Sequence, residues 1–242
     1  MVNMTFIDVV SKFDTILDRN IDNIIDFKGG KFSKDGDTVL LFWFNEDFGI
    51  NVNDLSGNNN NGTFTNYVSW DSGKFGRGIK INWNDISSYI VVLHNTSLNF
   101  GTGNFTIELW VKPITIDKST DDGFVYDKNS GGAGDIDLRI GWDILCADVA
   151  GGSSSVPTSS DCDISDGNWH HVKLFLRGLR VQVILDGKCW GRYKGGDTFS
   201  GLSTDSTADV GIGYSVFWED YQFWYNIGGI KVSKSTNNSS GF

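Results

Sequence analysis

The sequence predicts a mainly β protein: an antiparallel sandwich preceded by a short N-terminal helix. Only three of the 30 acidic residues are Glu, and Asp favours turns and helix caps over helix interiors. Ala, the best helix former, occurs four times in 242 residues. Thirty Gly against two Pro indicate many tight turns, and 14% aromatic residues supply material for a core.

Residues 4–27 differ from the rest because their apolar residues are spaced for one face of a helix. The spacing alternates between four and three residues. The positions are Phe6, Val10, Phe13, Leu17, Asn20, Ile24 and Phe27, of which only Asn20 is polar. Asp at every fourth position on the opposite side makes the isolated helix marginal. It therefore packs on its own domain, or it joins copies of the chain or anchors them to an assembly. Gly29 and Gly30 end this segment, 1–30.

Residues 38–232 alternate between short apolar runs and polar turns, which is typical of an antiparallel sandwich. A polar linker, 31–37, precedes this domain, and a polar tail, 233–242, follows it. The predicted strands are 39–44, 79–81, 89–93, 105–111, 171–176, 181–185 and 227–232. Asp186-Gly187 predicts a hairpin after the sixth of them.

Two strands carry residues that deserve a prediction of their own. In 105–111 the side chains of Ile107, Leu109 and Val111 share one face, so Trp110 packs against a second layer or lines a site on the other.

His170 and His171 are adjacent in a strand and point apart, so they cannot bind one metal ion together. We expect both to be structural.

Five motifs occur in a fixed order over residues 40–232. They are NDLSGNNNNGTF at 53–64, GKFGRGIKI at 73–81, SLNFGTGNFTIELWVKP at 97–113, DGNWHHV at 166–172 and VILDGK at 183–188. The set resembles the laminin-G-like members of the concanavalin A-like lectin/glucanase superfamily. The resemblance implies a two-sheet antiparallel jelly roll, and it implies function more loosely, since members bind glycans, calcium or proteins. The family usually ends with an acidic pair, which is absent from IGGIKV at 227–232.

No catalytic motif is present. Glucanases of this superfamily carry E-x-D-x-x-E on one strand, and none of Glu46, Glu108 and Glu219 stands in such a context. The nucleophile-elbow, zinc-protease, P-loop and dinucleotide motifs are also missing. We therefore expect no enzymatic activity.

A run of aromatic and polar residues at 217–225 is the candidate glycan site. Aromatic faces cover the apolar side of a sugar ring while amides and carboxylates bind its hydroxyls. The candidate residues are Trp218, Asp220, Gln222 and Trp224, which share one face of a strand, with Trp190 and Tyr193 at a rim. The alternative is that these aromatics belong to the core.

Calcium is the one cofactor that the sequence suggests. Hard cations take several oxygen ligands from flexible loops. Two clusters offer them: Asn53, Asp54 and Asn58 in one loop, and Asp117, Asp121 and Asp122 in another. The alternative is that these are solvated turn residues.

The net charge of −10 argues against nucleic acid and anionic lipid as partners. No apolar stretch is long enough to span a membrane, and the N-terminus lacks the basic region of a signal peptide.

The chain has three cysteines, Cys146, Cys162 and Cys189. Because this number is odd and small for the length of the chain, we expect free thiols. The alternative is a disulfide between Cys146 and Cys162.

These features together predict a non-catalytic binding protein on a virion or extracellular surface, folded in the cytoplasm. The virus or phage protein would be a decoration, fibre or tail-associated protein whose lectin-like domain projects, with surface glycans as ligands. Residues 1–30 would bind other copies of the chain or a capsid or tail protein. The alternative is a free carbohydrate-binding lectin or adhesion module, and a glycan-processing enzyme is third.

Overall fold

The computed structural model describes residues 30–82, 88–115, 123–131, 134–141, 144–150, 152–157, 162–178, 180–192, 203–214 and 224–235. The chain divides into two units, Met1–Gly30 and Lys31–Phe242. The predicted N-terminal helix lies outside the described residues, and so do the apolar positions Phe6, Val10, Phe13, Leu17, Ile24 and Phe27. All described residues except Gly30 belong to the second unit.

The described residues form sixteen strands and one 3₁₀ turn at Thr96–Leu98. In chain order the strands are β1 (Thr38–Phe42), β2 (Asn51–Val52), β3 (Gly62–Phe64), β4 (Val68–Gly73), β5 (Gly76–Ile81), β6 (Ile90–Val92), β7 (Asn104–Thr115), β8 (Gly123–Lys128), β9 (Ile136–Ile140), β10 (Ile144–Val149), β11 (Gly152–Pro157), β12 (His170–Arg177), β13 (Arg180–Leu185), β14 (Cys189–Arg192), β15 (Val210–Ile212) and β16 (Trp224–Ser235). Within these residues no helix has the length and apolar character needed to cross a membrane.

The strands form two antiparallel sheets of eight strands each, which confirms the predicted sandwich. Sheet A has the order β14-β13-β12-β7-β16-β5-β4, and β1 pairs with the second half of β16. Sheet B has the order β11-β10-β9-β8-β15-β6-β3-β2. Strand β16 extends to Ser235, so it includes the first residues of the segment predicted as a polar tail.

The core lies between the two sheets and is built from alternate residues of each strand. In β7, Ile107, Leu109 and Val111 are fully buried in this core, whereas Trp110 belongs to a separate cluster on the other face. This confirms the predicted alternation. The Tyr225 hydroxyl in sheet A donates a hydrogen bond to the Phe124 carbonyl in sheet B at 2.7 Å, so a polar contact also joins the sheets across the core.

The turn between β13 and β14 is the predicted hairpin. Asp186 and Gly187 have φ angles of 52° and 68°, and the Lys188 N–H donates to the Leu185 carbonyl at 3.0 Å. Left-handed backbone at both central positions defines a type I′ turn, which matches the twist of the flanking strands. The Asp186 carboxylate also accepts a hydrogen bond from the His171 N–H at 2.8 Å, which fixes the turn to β12.

Cys162 and Cys189 form a disulfide with a Cα–Cα distance of 5.9 Å. The sequence-based expectation of three thiols, and the alternative Cys146–Cys162 bridge, are therefore wrong. Cys146 is buried on β10. Strands β12 and β13 run antiparallel between Cys162 and Cys189 and bring the two sulfurs to the same end of sheet A. The spacing of the cysteines in the sequence does not reveal that the pairing of β12 and β13 brings Cys162 and Cys189 together.

Candidate functional site

Three aspartates lie side by side on the outer face of sheet B. The strand register pairs Asp127 of β8 with Asp137 of β9, and Asp137 with Asp148 of β10. Their strand neighbours Tyr126, Leu138 and Ala147 point into the core, so the carboxylates point away from it. We call the group formed by Asp137, Asp148 and Arg139 the sheet B polar cluster.

Arg139 links two of these carboxylates. Its Nε donates to Asp137 Oδ1 at 2.9 Å, and its Nη2 donates to Asp148 Oδ2. The guanidinium carbon also lies 5.8 Å from the centre of the Phe124 ring. Arg139 and Asp148 keep 26% and 40% of their side-chain surface exposed, so a ligand can reach both. The cluster therefore offers fixed donors and acceptors on an accessible face.

The electrostatics of the cluster centre on Asp137. Burial raises its pKa to about 6, and the negative charge of Asp148 adds to this, while Arg139 opposes it. Asp137 thus changes protonation state close to neutral pH, although Arg139 already occupies one of its oxygens. Carboxylate acceptors beside a guanidinium donor suit the hydroxyl groups of a neutral ligand.

The sequence contains a signal for this cluster outside the five motifs. In Ile136–Ile140 (IDLRI) the polar residues alternate with apolar ones, which places Asp137 and Arg139 on one face of a strand. The cross-strand register that adds Asp148 is a property of the folded sheet, and no single segment encodes it.

The predicted glycan residues lie mostly outside the described residues. This applies to Trp218, Asp220, Gln222 and Tyr193. The backbone places Trp190 in β14, paired with Ile184, and Trp224 in β16, paired with Thr115. Both of these strands belong to sheet A, whereas the polar cluster lies on sheet B. The assignment of a glycan role to these six residues stays a prediction.

The first predicted calcium loop is held by hydrogen bonds to Asp54. Asp54 Oδ1 accepts from the Leu41 and Ser56 N–H groups, both at 2.9 Å, and Oδ2 accepts from Ser56 Oγ at 2.7 Å and the Asn60 N–H at 3.0 Å. Four donors occupy the carboxylate, so its observed role is to fold the loop.

The other calcium candidates add no cation site to the described residues. The Asn53 side chain donates to Glu46, and the Asn58 side chain donates to Thr38 and Ser56. The residues Asp117, Asp121 and Asp122 lie outside the described residues. In the described part of the chain no group of three His, Cys, Asp or Glu side chains is placed to hold a metal ion.

The outer face of sheet A carries an aromatic cluster rather than a polar one. It contains Phe32, Leu41 and Trp110, with Trp43, Phe75 and Trp169 packed around them. Phe32 is only 4% exposed, and its carbonyl accepts a hydrogen bond from Trp43 Nε1 at 2.8 Å. The segment predicted as a polar linker is therefore attached to sheet A at Phe32. Trp110 packs against this added layer, as one of its two predicted roles required.

The two adjacent histidines have different surroundings, as their position in a strand predicted. His170 lies between two carboxylates, with Nδ1 2.8 Å from Asp186 Oδ2 and Nε2 2.8 Å from Asp166 Oδ1. Burial opposes its charge, but the hydrogen bonds that the ring donates to the Asp186 and Asp166 carboxylates outweigh burial and raise its pKa. His171 packs 5.2 Å from the Trp110 ring, and burial lowers its pKa to about 4.

His171 is expected to make the fold less stable in mild acid. Its folded pKa lies below the unfolded value near 6.5, so the unfolded state binds the proton first as pH falls. The free energy of unfolding should then fall by about 2 kcal/mol between pH 7 and pH 5 through this group alone. His171→Phe should remove that loss. Urea unfolding of both proteins at the two pH values measures the difference.

His170→Gln is the matched control because its pKa is shifted the other way. His170 contributes stability below its unfolded pKa and loses it as pH rises through the raised folded pKa. The variant should therefore lose stability relative to the parent chain at the lower pH, whereas His171→Phe gains. If both variants moved in the same direction, the assignment of the two shifts would be wrong.

Comparison with known proteins assigns this fold to a family. Residues 84–236 match the model of the laminin-G-like family in the concanavalin A-like lectin/glucanases superfamily. The chain belongs to that superfamily, which confirms the resemblance found in the motifs. No curated protein sequence matches the chain.

Solved structures with the same fold include the binding domain of Paraclostridial Mosquitocidal Protein 1, with a TM-score of 0.63 and 19% identity over 82% of this chain and 49% of that one. Another is a structure of botulinum neurotoxin type C, whose cell entry is dependent upon interaction with two ganglioside molecules; the TM-score is 0.60, with 13% identity over 89% of this chain and 49% of that one. A third is the binding domain of botulinum neurotoxin DC in complex with rat synaptotagmin II, with a TM-score of 0.60 and 13% identity over 81% and 48%. The chain spans about half the length of these binding domains.

Proposed function

We propose that this chain is a non-catalytic binding module that recognises a neutral glycan through the sheet B polar cluster. The observation that carries the proposal is the chain of ion pairs from the buried Asp137 through Arg139 to Asp148, in which Arg139 and Asp148 are accessible to a ligand. Each group is held by its neighbour before a ligand arrives, so little side-chain entropy is lost on binding. Carboxylates outnumber guanidinium groups in the cluster, which disfavours sialylated and sulfated sugars.

The same geometry favours binding over hydrolysis. A glycosidase needs one carboxyl group to protonate the leaving oxygen and another to attack or activate water. The raised pKa of Asp137 suits an acid, but this residue is only 7% exposed and hydrogen bonds to Arg139. Arg139 also donates a hydrogen bond to the Asp148 carboxylate. Both carboxylates are thus used to position a donor.

The relatives in structure support a binding role. They include two binding domains, one of them in complex with synaptotagmin II, and a neurotoxin whose cell entry depends on an interaction with two ganglioside molecules. Identities of 13–19% establish a shared fold and not a shared ligand. Because one of these relatives is in complex with a protein, synaptotagmin II, a protein receptor is the competing ligand class. Trp218, Trp224, Trp190 and Tyr193 remain candidates for stacking on a sugar ring, and Asp220 and Gln222 remain candidates for binding its hydroxyl groups.

Asp148→Ala is expected to weaken binding of a neutral glycan by at least about tenfold, because one direct hydrogen bond and the anchor of Arg139 are lost. A glycan array containing neutral and sialylated sugars identifies the ligand, and calorimetry on the best neutral glycan measures the change. Asp47→Ala is the matched control, since Asp47 also pairs with an Arg, namely Arg77, but outside the cluster. Equal losses in both variants, or binding confined to sialylated sugars, would contradict the proposal.

We further infer that the module works outside cells, displayed on a virion as a decoration, fibre or tail-associated protein. Disulfides persist in oxidising surroundings, so the Cys162–Cys189 bond supports an extracellular destination. Residues 1–30 would supply attachment, through copies of the chain or a capsid or tail protein. The disulfide is equally consistent with a free lectin or adhesion module, which is the alternative.

Deleting residues 1–30 is expected to leave a folded sandwich but abolish self-association or attachment. Phe13→Asp should do the same, because it places a charge in the middle of the apolar helix face predicted for residues 4–27. Size-exclusion chromatography with light scattering compares the masses of the three proteins. A monomeric full chain would restrict the idea to docking on another protein, and absence of the chain from purified particles would favour the free lectin.

A further inference from the structure

Lys128, the last residue of β8, is a fully buried lysine at one end of the sandwich. Its Nζ lies 2.9 Å from Asn99 Oδ1, 2.8 Å from Ser206 Oγ and 3.1 Å from the Ser206 carbonyl. Removing an ammonium group from water is costly, and an apolar side chain would fill the same space without that cost. A lysine at this position therefore calls for a chemical explanation.

The amide that faces Lys128 is held in place by its own backbone. The Asn99 N–H donates to the Thr96 carbonyl at 3.2 Å, which closes the 3₁₀ turn. The segment that carries Ser206 is fixed as well, since the Thr204 N–H donates to the Gly101 carbonyl at 2.7 Å and the Gly101 N–H donates to Asp205 Oδ1 at 2.6 Å. Amine and amide are thus fixed next to each other, and such placement greatly accelerates a reaction between two groups.

We propose that Lys128 and Asn99 react with each other to form an intramolecular isopeptide bond. The Lys128 ammonium first gives a proton to a carboxylate, and the neutral Nζ attacks Asn99 Cγ. As the bond between Nζ and Cγ forms, Nζ gives a second proton to Nδ2, and the bond between Cγ and Nδ2 breaks. Nδ2 leaves as ammonia and takes the first proton back from the carboxylate to become ammonium, so charge and atoms balance without an oxidant or cofactor.

Two features of the surroundings support this reaction. Burial lowers the pKa of Lys128 to about 8, so a useful fraction of the amine is neutral close to physiological pH. The charges of Asp205 and Asp135 act on the ammonium and partly oppose that shift. We assign the transfer of the proton, and its return to the departing nitrogen, to one of these two carboxylates.

The intact mass of the full chain tests the proposal. After reduction of the disulfide and denaturation, the protein should weigh less than its sequence by the mass of one ammonia molecule. Tandem mass spectrometry of a digest should find the peptides containing residues 99 and 128 joined. The cross-linked fraction should grow with time, and faster at a pH above the pKa of Lys128.

Three variants make the result specific. Asn99→Ala and Lys128→Met should show their full sequence mass, whereas Lys234→Met, which removes a neighbouring lysine 5.6 Å from the Phe100 ring, should keep the deficit. The measurement on the parent chain does not depend on the variants folding. A parent chain of full mass after prolonged incubation above pH 8 overturns the proposal. A deficit located at any other asparagine overturns it too.

Discussion

Asp54→Ala is expected to lower the free energy of unfolding by about 4 kcal/mol. The carboxylate accepts four hydrogen bonds, three of them from backbone N–H groups that have to find water or another acceptor once it is removed. One of these donors, the Leu41 N–H, belongs to β1, so the change also loosens the strand that pairs with β16. Urea unfolding followed by tryptophan fluorescence measures the loss.

Asp54→Asn is the matched control, because the amide keeps one acceptor oxygen and the size of the side chain. It should cost roughly half as much, since two of the four bonds survive. Adding calcium to the parent chain separates the two roles considered for this loop. A large rise in melting temperature that Asp54→Asn abolishes would mean that the carboxylate is a cation ligand after all.

Breaking the Cys162–Cys189 bond is expected to lower the free energy of unfolding by about 3.5 kcal/mol, because the bond closes a loop with a sequence separation of 27. For a domain of this size that corresponds to a fall of about 10 °C in melting temperature. Calorimetry with and without a reducing agent measures the difference.

The double variant Cys162→Ala/Cys189→Ala should melt like the reduced parent chain and should not respond to the reducing agent. Cys146→Ala is the control for thiol chemistry elsewhere, and it should retain the full response. If reduction left the melting temperature unchanged, the bond would add nothing to stability, and its support for an extracellular destination would be weakened.

Local signals in the sequence predicted most of the fold. The alternation around Leu109 defined β7, and Asp186-Gly187 defined a hairpin, because each depends only on residues next to each other in the chain. The N-terminal helix, which depends on residues outside those described, stays a prediction. Phe32 was missed because a single apolar residue in a polar segment has no periodicity to reveal it.

The candidate site was harder to predict because long-range pairing creates it. Asp137 and Asp148 become neighbours only through the register of β9 and β10, and Cys189 meets Cys162 only after β12 and β13 have paired. Asn99 and Lys128 are 29 positions apart, and only Asn99 lies in one of the five motifs. The sequence predicted a glycan site at 217–225 instead, because a run of aromatic residues can be recognised within a single segment.

The first and last strands of the sandwich are neighbours, and this has a consequence for how such a unit spreads among proteins. Thr38 of β1 pairs with Ser233 of β16, and the Lys234 N–H donates to the Asp37 carbonyl at 2.8 Å. A unit whose two ends emerge side by side can be spliced into a surface loop of an unrelated host without stretching that loop. The arrangement also permits a circularly permuted version, with the old ends joined by a short bridge and new ends opened at another turn.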